Sequence, residues 1–205
     1  MTSAGPRRRG RPRAYDPGVA LLRARDTFWR SGFAATSLDD LAAGMGMNRP
    51  SIYAAFGDKR AMYRVTVADY AKTSGAWLES TLAGRRPLRE QLNSVYRNAR
   101  DFYLAGDDGP RGCFLVGTAV TESKRDDEIR HLVEATMTAF TKSFAERFER
   151  AERDGELAPH APDALAQIAT ATLNTLALRA RTGAQREVLD GLTDAAVDVI
   201  CGRPG

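Results

Sequence analysis

Apolar residues along the chain recur at steps of three and four, the spacing that places side chains on one face of an α-helix. The longest run lies between residues 126 and 153 and contains Ile129, Leu132, Val133, Met137, Phe140, Phe144 and Phe148. No segment alternates apolar and polar residues for long enough to indicate a β-strand. The pattern predicts an all-α protein of about nine helices.

Residues suited to helix ends divide the N-terminal part of the chain. Asp16 can cap a first helix that has Pro17 in its first turn, and Gly32 is suited to end it. Ser37 followed three residues later by Asp40 forms the pattern of a capping box, which predicts the start of a second helix.

Two short helices follow each other closely, at residues 37–45 and 49–56. A turn containing Gly46 joins them, and Asn48 can cap the second of the two. A further helix is predicted to begin after Asp58. Two short helices separated by about three residues are typical of a helix-turn-helix, the motif that places its second helix in the DNA major groove.

The remaining helices are longer and are separated by Gly, Pro and Asp turns. We predict them at residues 59–82, 88–104, 111–122, 126–153, 162–181 and 185–201. The sequence is thus divided into a flexible basic arm (residues 1–14), a three-helix DNA-binding domain (15–60) and a helical regulatory and dimerisation domain (61–205).

Positive charge is concentrated at the N-terminal end. Residues 1–60 contain ten Arg and one Lys against five Asp, while the whole chain has a net charge of only +4. A basic end of this kind favours binding to a polyanion such as DNA. In the arm, Arg11 and Arg13 can lie in a narrow minor groove; the alternative is a solvated tail.

Several functional classes find no support in the sequence. No apolar run approaches the length of a membrane span, and no signal segment follows the basic N-terminus, so a cytoplasmic protein is expected. Two cysteines and two histidines, far apart in the sequence, indicate neither a disulfide framework nor a metal site. No catalytic signature and no phosphate-binding glycine loop is recognisable, so we expect a non-enzyme without a cofactor.

Two stretches carry a family resemblance. Residues 32–42 (GFAATSLDDLA) and residues 45–59 (MGMNRPSIYAAFGDK) resemble the DNA-binding domain of TetR-family transcriptional regulators. Tyr53, Phe56 and Lys59 match the family's aromatic pair and the Lys that opens the next helix. Ala54 and Ala55 replace a His or basic residue found in many relatives, which removes a possible phosphate contact. The segment from Arg111 to Leu115 resembles a branch with an Arg-Gly-Cys motif at the start of a core helix.

The resemblance implies a dimeric repressor that binds a palindromic operator and is released by a small molecule. The DNA-binding residues it implies, together with those of the arm, are Arg11, Arg13, Thr36, Ser37, Asn48, Arg49, Pro50, Ser51, Tyr53 and Lys59. Among them Arg49 is predicted to read guanine, because its two nitrogens match O6 and N7. A phosphate contact is the alternative for Arg49, helix packing for Tyr53 and capping for Ser37.

The family resemblance also implies a ligand cavity among the central helices, taking an apolar effector. Its predicted lining is Trp77, Tyr96, Phe102, Tyr103, Cys113, Phe114, Met137, Phe140 and Phe144, with core packing as the alternative for each. The predicted dimer surface, on the last two helices, is Leu165, Ile168, Leu173, Leu176, Val188, Leu192, Ala195 and Val199. An intramolecular core stripe is the alternative there.

Two other functions stay open at this point. Cys113 could be a redox- or electrophile-sensing thiol if Arg111 and a helix N-terminus lower its pKa; a buried inert cysteine is the alternative. The basic arm would also suit a nonspecific architectural DNA-binding protein, although such a protein would not need the large, nearly neutral C-terminal part.

Overall fold

Helix ends in the computed structural model lie close to the positions that the sequence signals predict. The structure describes residues 15–106, 108–158 and 161–202, so the predicted arm, with Arg11 and Arg13, lies outside the described residues. Over these residues the chain forms α1 (Pro17–Ala35), α2 (Leu38–Met45), α3 (Arg49–Phe56), α4 (Lys59–Leu82), α5 (Leu88–Leu104), α6 (Val120–Glu122), α7 (Asp127–Arg153), α8 (Pro162–Arg181) and α9 (Arg186–Cys201). No β-strand occurs among these residues, which confirms the all-α prediction.

Local capping explains why the N-terminal helices begin where they do. The side chain of Asp16 accepts hydrogen bonds from the Gly18 and Val19 amides at the start of α1. Gly32 has φ 74° and interrupts the regular helix, and three further residues of α1 follow it. The predicted stop at Gly32 is therefore a kink.

The segment 111–122, predicted as one helix, has a more complex form. Residues 111–113 are irregular, Leu115–Ala119 form a π-helical turn, and α6 follows directly. Gly112 has φ 64°, and a Cβ there would lie 2.7 Å from the Ala177 carbonyl oxygen of α8. Only glycine fits this close approach, which apolar periodicity does not reveal.

Side chains from distant parts of the chain hold α1 against the C-terminal helices. The Trp29 indole Nε1 donates to the Arg111 carbonyl oxygen at 2.9 Å, and Arg181 of α8 donates to the same oxygen at 2.9 Å. The Arg111 guanidinium stacks on the rings of Trp29 and Phe102, 4.6 and 4.4 Å from their centroids. The Arg-Gly-Cys segment therefore connects α1 with α5 and α8 through the contacts of Arg111.

The central helices surround an aromatic core. Phe28, Tyr63 and Phe114 are fully buried, and the Phe28 and Tyr63 rings meet edge to face with centroids 4.9 Å apart. Helix α4 packs against α1, α3, α5 and α7, so it connects the N-terminal helices to the rest of the molecule. Among the described residues, no helix is long and apolar enough to cross a membrane.

Candidate nucleic-acid interface and ligand cavity

Helices α2 and α3 are held at a fixed angle by their caps and by buried side chains. The Ser37 hydroxyl accepts from the Asp40 amide at 3.1 Å, and the Asp40 carboxylate accepts from the Ser37 amide at 2.8 Å. Gly46 ends α2 in the left-handed region, with φ 65° and ψ 33°. Leu41 and Ile52 are fully buried between the helices. An eight-residue helix is marginal alone, so this packing keeps α3 helical.

The outer face of α3 carries the side chains that the sequence singled out. Asn48, Arg49, Pro50 and Tyr53 are exposed, and half of the Tyr53 side chain is open to solvent. Ser51 is partly buried in the first turn, where its amide donates to the Asn48 side-chain oxygen at 2.9 Å. One capped, rigid helix therefore presents a row of polar and aromatic groups outward.

Arg49 is engaged by a partner that the sequence did not predict. Its Nε and Nη2 donate to the two carboxylate oxygens of Asp39 on α2, at 2.8 and 2.5 Å. These hydrogen bonds lower the pKa of the Asp39 carboxyl and raise that of the Arg49 guanidinium. Asp39 therefore occupies Nε and Nη2 of Arg49, and a bidentate contact of these two nitrogens with a guanine edge requires Arg49 to exchange partners.

Thr36 and Ser37 differ in their availability at the start of α2. Thr36 is 1% exposed, and its hydroxyl donates to the Gly32 carbonyl oxygen at 2.6 Å. This corrects the prediction for the Thr36 side chain, because its hydroxyl cannot reach a phosphate in this conformation. Ser37 is exposed, but its hydroxyl is shared with Asp40, as the capping alternative required.

Lys59 begins α4 beside the same surface. Its ammonium nitrogen lies 4.4 Å from the centre of the Phe33 ring, and partial burial lowers its pKa. Asp58 caps the helix by accepting from the Ala61 amide at 2.7 Å. A cation at a helix N-terminus is well placed for a phosphate, because the amides and the helix dipole also favour an anion.

A charged cluster connects this end of α4 to the start of α7. The buried carboxylate of Asp126 accepts from Arg60 at 2.9 Å, from Arg64 at 3.0 Å and from the Ile129 amide at 3.2 Å. Burial of the carboxylate opposes ionisation, but these hydrogen bonds outweigh it and lower the pKa of Asp126 to about 2. Movement of α4 relative to α7 must therefore disturb these ion pairs.

Replacement of Asp126 tests the strength of this connection. Asp126→Asn removes the charge that pairs with two arginines, so the free energy of unfolding at pH 7 should fall by about 2 kcal/mol. Since the folded pKa is lowered, the contribution is present above about pH 4 in the natural protein and is lost as the pH falls toward 2. Urea denaturation between pH 7 and pH 2 measures both effects.

The matched control for that measurement is Asp127→Asn, because Asp127 is exposed and, within the described part of the chain, forms its ion pair with Arg130 of its own helix. We expect the control to change the free energy of unfolding by less than about 0.5 kcal/mol. Equal effects of the two substitutions at pH 7 would contradict the connecting role of Asp126.

A cavity of about 350 Å³ lies between α1, α4, α5, α7 and α8. Five of the nine predicted ligand residues line it: Trp77, Phe102, Tyr103, Cys113 and Phe140. The lining also contains residues that the sequence analysis did not select for this role: Arg25, Tyr70, Thr73, Ser74, Asn98, Ala99 and Leu173. Apolar and aromatic side chains form most of its wall, which suits a small-molecule pocket.

The other four predicted ligand residues belong elsewhere. Phe114 and Phe144 are fully buried in the core, and the hydroxyl of the buried Tyr96 donates to the Ala169 carbonyl oxygen at 3.3 Å. Met137 lines a separate groove between α7 and α8. These are corrections: a helical stripe of large apolar residues identifies the core, but it does not identify which side chains border a cavity.

The environment of Cys113 differs from the one predicted for a reactive thiol. Burial raises the pKa of the Cys113 thiol, and the Tyr70 hydroxyl donates to its sulfur at 3.5 Å. The neighbouring Arg111 stacks on Trp29 and Phe102. The lowered pKa that a sensing thiol requires is therefore not found, and the burial of Cys113 agrees with the other interpretation, a buried inert cysteine.

The predicted dimer residues divide between two faces of α8 and α9. Leu165, Leu173 and Leu176 are buried within the protomer, so their assignment to the dimer surface is corrected. Ile168, Val188, Ala195 and Val199 are exposed, and Leu192 is half-buried. Leu178, which was not predicted, is 56% exposed, and Val199 is 67% exposed. Exposed apolar residues of this kind are typical of surfaces that bind another protein.

Comparison with known proteins identifies both parts of the chain. A family model described as bacterial regulatory proteins, tetR family, matches residues 21–66, and one described as the tetracyclin repressor-like C-terminal domain matches residues 87–196. The HTH-type transcriptional repressor ComR of Escherichia coli strain K12 is 28% identical over 182 residues, which cover 88% of this chain and 87% of ComR.

Two further similarities concern a second repressor and a solved complex. The HTH-type transcriptional repressor BdcR of the same strain is 34% identical over 107 residues, which cover 52% of this chain and 54% of BdcR. A cysteine mutant of the TetR family transcriptional regulator CifR, complexed with 26 bp double-strand operator DNA, is 32% identical with a TM-score of 0.83. That match covers 93% of this chain and 100% of the CifR chain.

Proposed function

The chain belongs to the TetR family of bacterial regulatory proteins, and on that premise we propose that it represses transcription as a dimer bound to a palindromic operator. Residues 15–60 form the DNA-reading head, and residues 61–205 sense an effector and pair two subunits. The outward row of side chains on the capped helix α3 is the observation that carries this proposal. The site of action is the bacterial cytoplasm, where the DNA target lies, and the protein needs no catalytic activity.

Side chains in the first turns of α3 contact the DNA bases. Arg49 leaves Asp39 and donates its two hydrogen bonds to guanine, while Asn48 and Ser51 contact neighbouring base edges or phosphates. Tyr53, half exposed on the same face, contacts a phosphate through its hydroxyl or a thymine methyl group through its ring. Pro50 fixes the backbone at the start of the helix and lies beside these groups.

Phosphates of the DNA backbone bind at the helix N-termini on either side of α3. Ser37 at the start of α2 and Lys59 at the start of α4 flank the reading helix, while the Thr36 hydroxyl, which donates to Gly32, is left out of this role. In the basic arm, Arg11 and Arg13 add minor-groove contacts. These contacts set the orientation of the head, and α3 supplies sequence preference.

Lys59→Ala separates a phosphate contact from base reading. We expect affinity to fall by a similar factor for all DNA sequences, because a phosphate carries no sequence information. The slope of log affinity against log salt should become shallower by about 1 for each subunit whose lysine no longer neutralises a phosphate. Fluorescence anisotropy with specific and random duplexes at several salt concentrations measures both quantities.

Lys72→Ala is the matched control, since Lys72 is an exposed lysine farther along the same helix. It should leave the salt slope unchanged. If Lys59→Ala lowered affinity for the operator alone, its assignment to a phosphate would be wrong.

Two heads read one operator only if the subunits pair through a symmetric surface. The exposed apolar residues Ile168, Leu178, Val188 and Val199 lie on α8 and α9, which contact each other within the protomer. Two such helix pairs, one from each subunit, form a four-helix bundle. Leu165, Leu173 and Leu176 lie on the buried face of α8 and pack inside the protomer.

A small molecule that binds in the cavity releases the protein from DNA. The cavity is lined by residues of α1, which belongs to the head, and of α4, which joins the head to the rest of the protein. An effector that binds better to a state with displaced heads shifts the protein toward that state by its difference in affinity. The ion pairs of Asp126 with Arg60 and Arg64 connect that displacement to α7.

Selection from a pool of randomised duplexes tests the proposed function. The full chain should enrich an inverted repeat whose half-sites lie about one helical turn or a multiple of it apart. Purified protein should then bind that repeat at least about 1000-fold more tightly than random DNA at physiological salt. Recovery of duplexes without a common sequence would instead indicate nonspecific architectural binding.

A further inference from the structure

One side chain from the DNA-reading head reaches the ligand cavity. Arg25 lies on α1, and its guanidinium is the only charged group among the described residues that line the cavity. Its Nε is buried and has no hydrogen-bond partner among the residues that the structure describes. Its Nη2 lies 3.4 Å from a carboxylate oxygen of Asp26, the next residue in the chain. Arg25 therefore has a donor available, and a buried donor without a partner is unfavourable.

The surroundings of Arg25 favour an acceptor over a cation. The Arg25 guanidinium lies 5.6 Å from the centre of the Trp29 ring, and Arg111 stacks on the same tryptophan at 4.6 Å. Arg111 also lies 4.4 Å from the ring centre of Phe102, which lines the cavity. No Asp or Glu is found in the described lining, and Asp26, which pairs with Nη2 of Arg25, lies outside it. A negative group of a ligand that binds Arg25 is therefore favoured over a positive group, although it shares the guanidinium with Asp26.

The other walls are suited to a flat apolar body. Trp77, Phe102, Tyr103 and Phe140 contribute aromatic rings, and Leu173 contributes an aliphatic side chain. The Thr73 and Ser74 hydroxyls, which also line the cavity, donate to carbonyl oxygens of their own helix, at 2.8 Å in each case. Their protons are therefore not available to a ligand. The Asn98 side chain also lines the cavity and can donate or accept a hydrogen bond. Aromatic walls and the Arg25 guanidinium together favour an aromatic molecule that carries an acceptor group.

We propose that this cavity binds a single-ring aromatic monoanion, with its carboxylate on Arg25 and its ring between Trp77, Phe102 and Phe140. A volume of about 350 Å³ is at the small end of ligand pockets, which is consistent with one ring. The inference names the chemical class of the effector, and in that respect it rests on the proposed function.

Arg25 also gives the ligand a direct connection to the DNA-reading head. It is two residues from Arg23, whose Nη1 donates to the Met45 carbonyl oxygen at the end of α2, 3.4 Å away. A carboxylate held by Arg25 therefore acts on α1 itself, in addition to α4. Effector binding can therefore change the position of α2 and α3 without first displacing the whole of α4.

Three probes with the same ring and different charge test the proposal: benzoate, benzamide and benzylamine. Isothermal titration calorimetry on the full-length protein should show benzoate binding at least about tenfold more tightly than benzamide, and benzylamine most weakly. Arg25→Met keeps the side-chain volume but removes the donors, so benzoate should then bind no better than benzamide. Arg25→Lys should retain part of the preference for the anion.

Arg30→Met is the matched control, because Arg30 is an exposed arginine of the same helix that pairs with Asp108 outside this cavity. It should leave the preference for benzoate intact. Thermal melting by circular dichroism verifies that each variant folds, and Arg25→Lys keeps the test valid if Arg25→Met does not. The proposal is overturned if no probe binds at millimolar concentration, if benzoate has no advantage, or if its advantage survives in Arg25→Met.

Operator binding without any probe separates this proposal from the proposed function. An enriched inverted repeat together with absent benzoate preference rejects the ligand class alone. A benzoate preference that depends on Arg25, together with DNA binding that has no sequence preference, rejects the operator function and leaves the cavity assignment standing.

Discussion

Arg49→Ala is expected to lower affinity for the preferred operator by about 10- to 100-fold, because each half-site then lacks a bidentate hydrogen bond to guanine. Affinity for random DNA should change much less, so the specificity ratio falls. Base preference should relax at one position of each half-site, the position that Arg49 reads. Titration of an operator series with single base substitutions measures the position as well as the size of the effect.

Two further variants distinguish base recognition by Arg49 from a general effect of its positive charge. Arg49→Lys keeps the positive charge but lacks the paired nitrogens, so it should recover nonspecific affinity without recovering the base preference. Arg97→Ala removes an exposed arginine from α5 and should have no effect on the base preference. Unchanged operator affinity in Arg49→Ala would show that α3 does not read DNA through this residue.

A double substitution, Leu178→Glu with Val199→Glu, is expected to convert the protein to a monomer. In a twofold interface each substitution occurs twice, so four carboxylates would have to be buried in an apolar contact. Operator affinity should then fall by about 100-fold or more, because each head binds independently of the other. Light scattering coupled to size exclusion gives the mass, and anisotropy gives the affinity.

Val65→Glu provides the control for this variant, since Val65 is an exposed valine on α4, away from α8 and α9. It should remain dimeric with unchanged circular dichroism. A double variant that stays dimeric and binds the operator normally would exclude α8 and α9 as the pairing surface.

The short-range parts of the fold were predictable because neighbouring residues encode them. Ser37 with Asp40 and Asn48 with Ser51 form caps within three residues, and the structure contains both. The helix-turn-helix therefore follows from the sequence between residues 37 and 59. The π-helical turn at 115–119 does not, because its residues follow the same apolar spacing as an α-helix, and neither does the close approach of Gly112 to α8, because it joins residues distant in sequence.

The division of α8 between core and surface was less predictable. Apolar residues fill two faces of this helix, one turned into the protomer and one exposed. Periodicity records that a residue prefers burial, but it does not tell which neighbour buries it. For this reason Leu173 was expected at a dimer interface and lines the cavity, while the exposed Leu178 was not selected.

Contacts between residues distant in sequence were the main omissions. Asp39 pairs with Arg49 ten positions away, and Arg25 lines a cavity together with residues from four other helices. Both depend on side-chain directions that only the packed helices define. The basic composition of the N-terminal part indicated DNA binding, but it did not distinguish an arginine facing DNA from one facing a ligand.

Hydroxyl-radical footprinting of the full chain on its selected operator tests most directly whether two DNA-reading heads, related by twofold symmetry, bind one operator. Two protected patches on each strand should be related by an inverted-repeat axis and separated by about one helical turn or a multiple of it. Arg49→Ala should weaken both patches together. One unsymmetrical patch, or even protection along the whole duplex, would contradict two α3 helices reading successive major grooves.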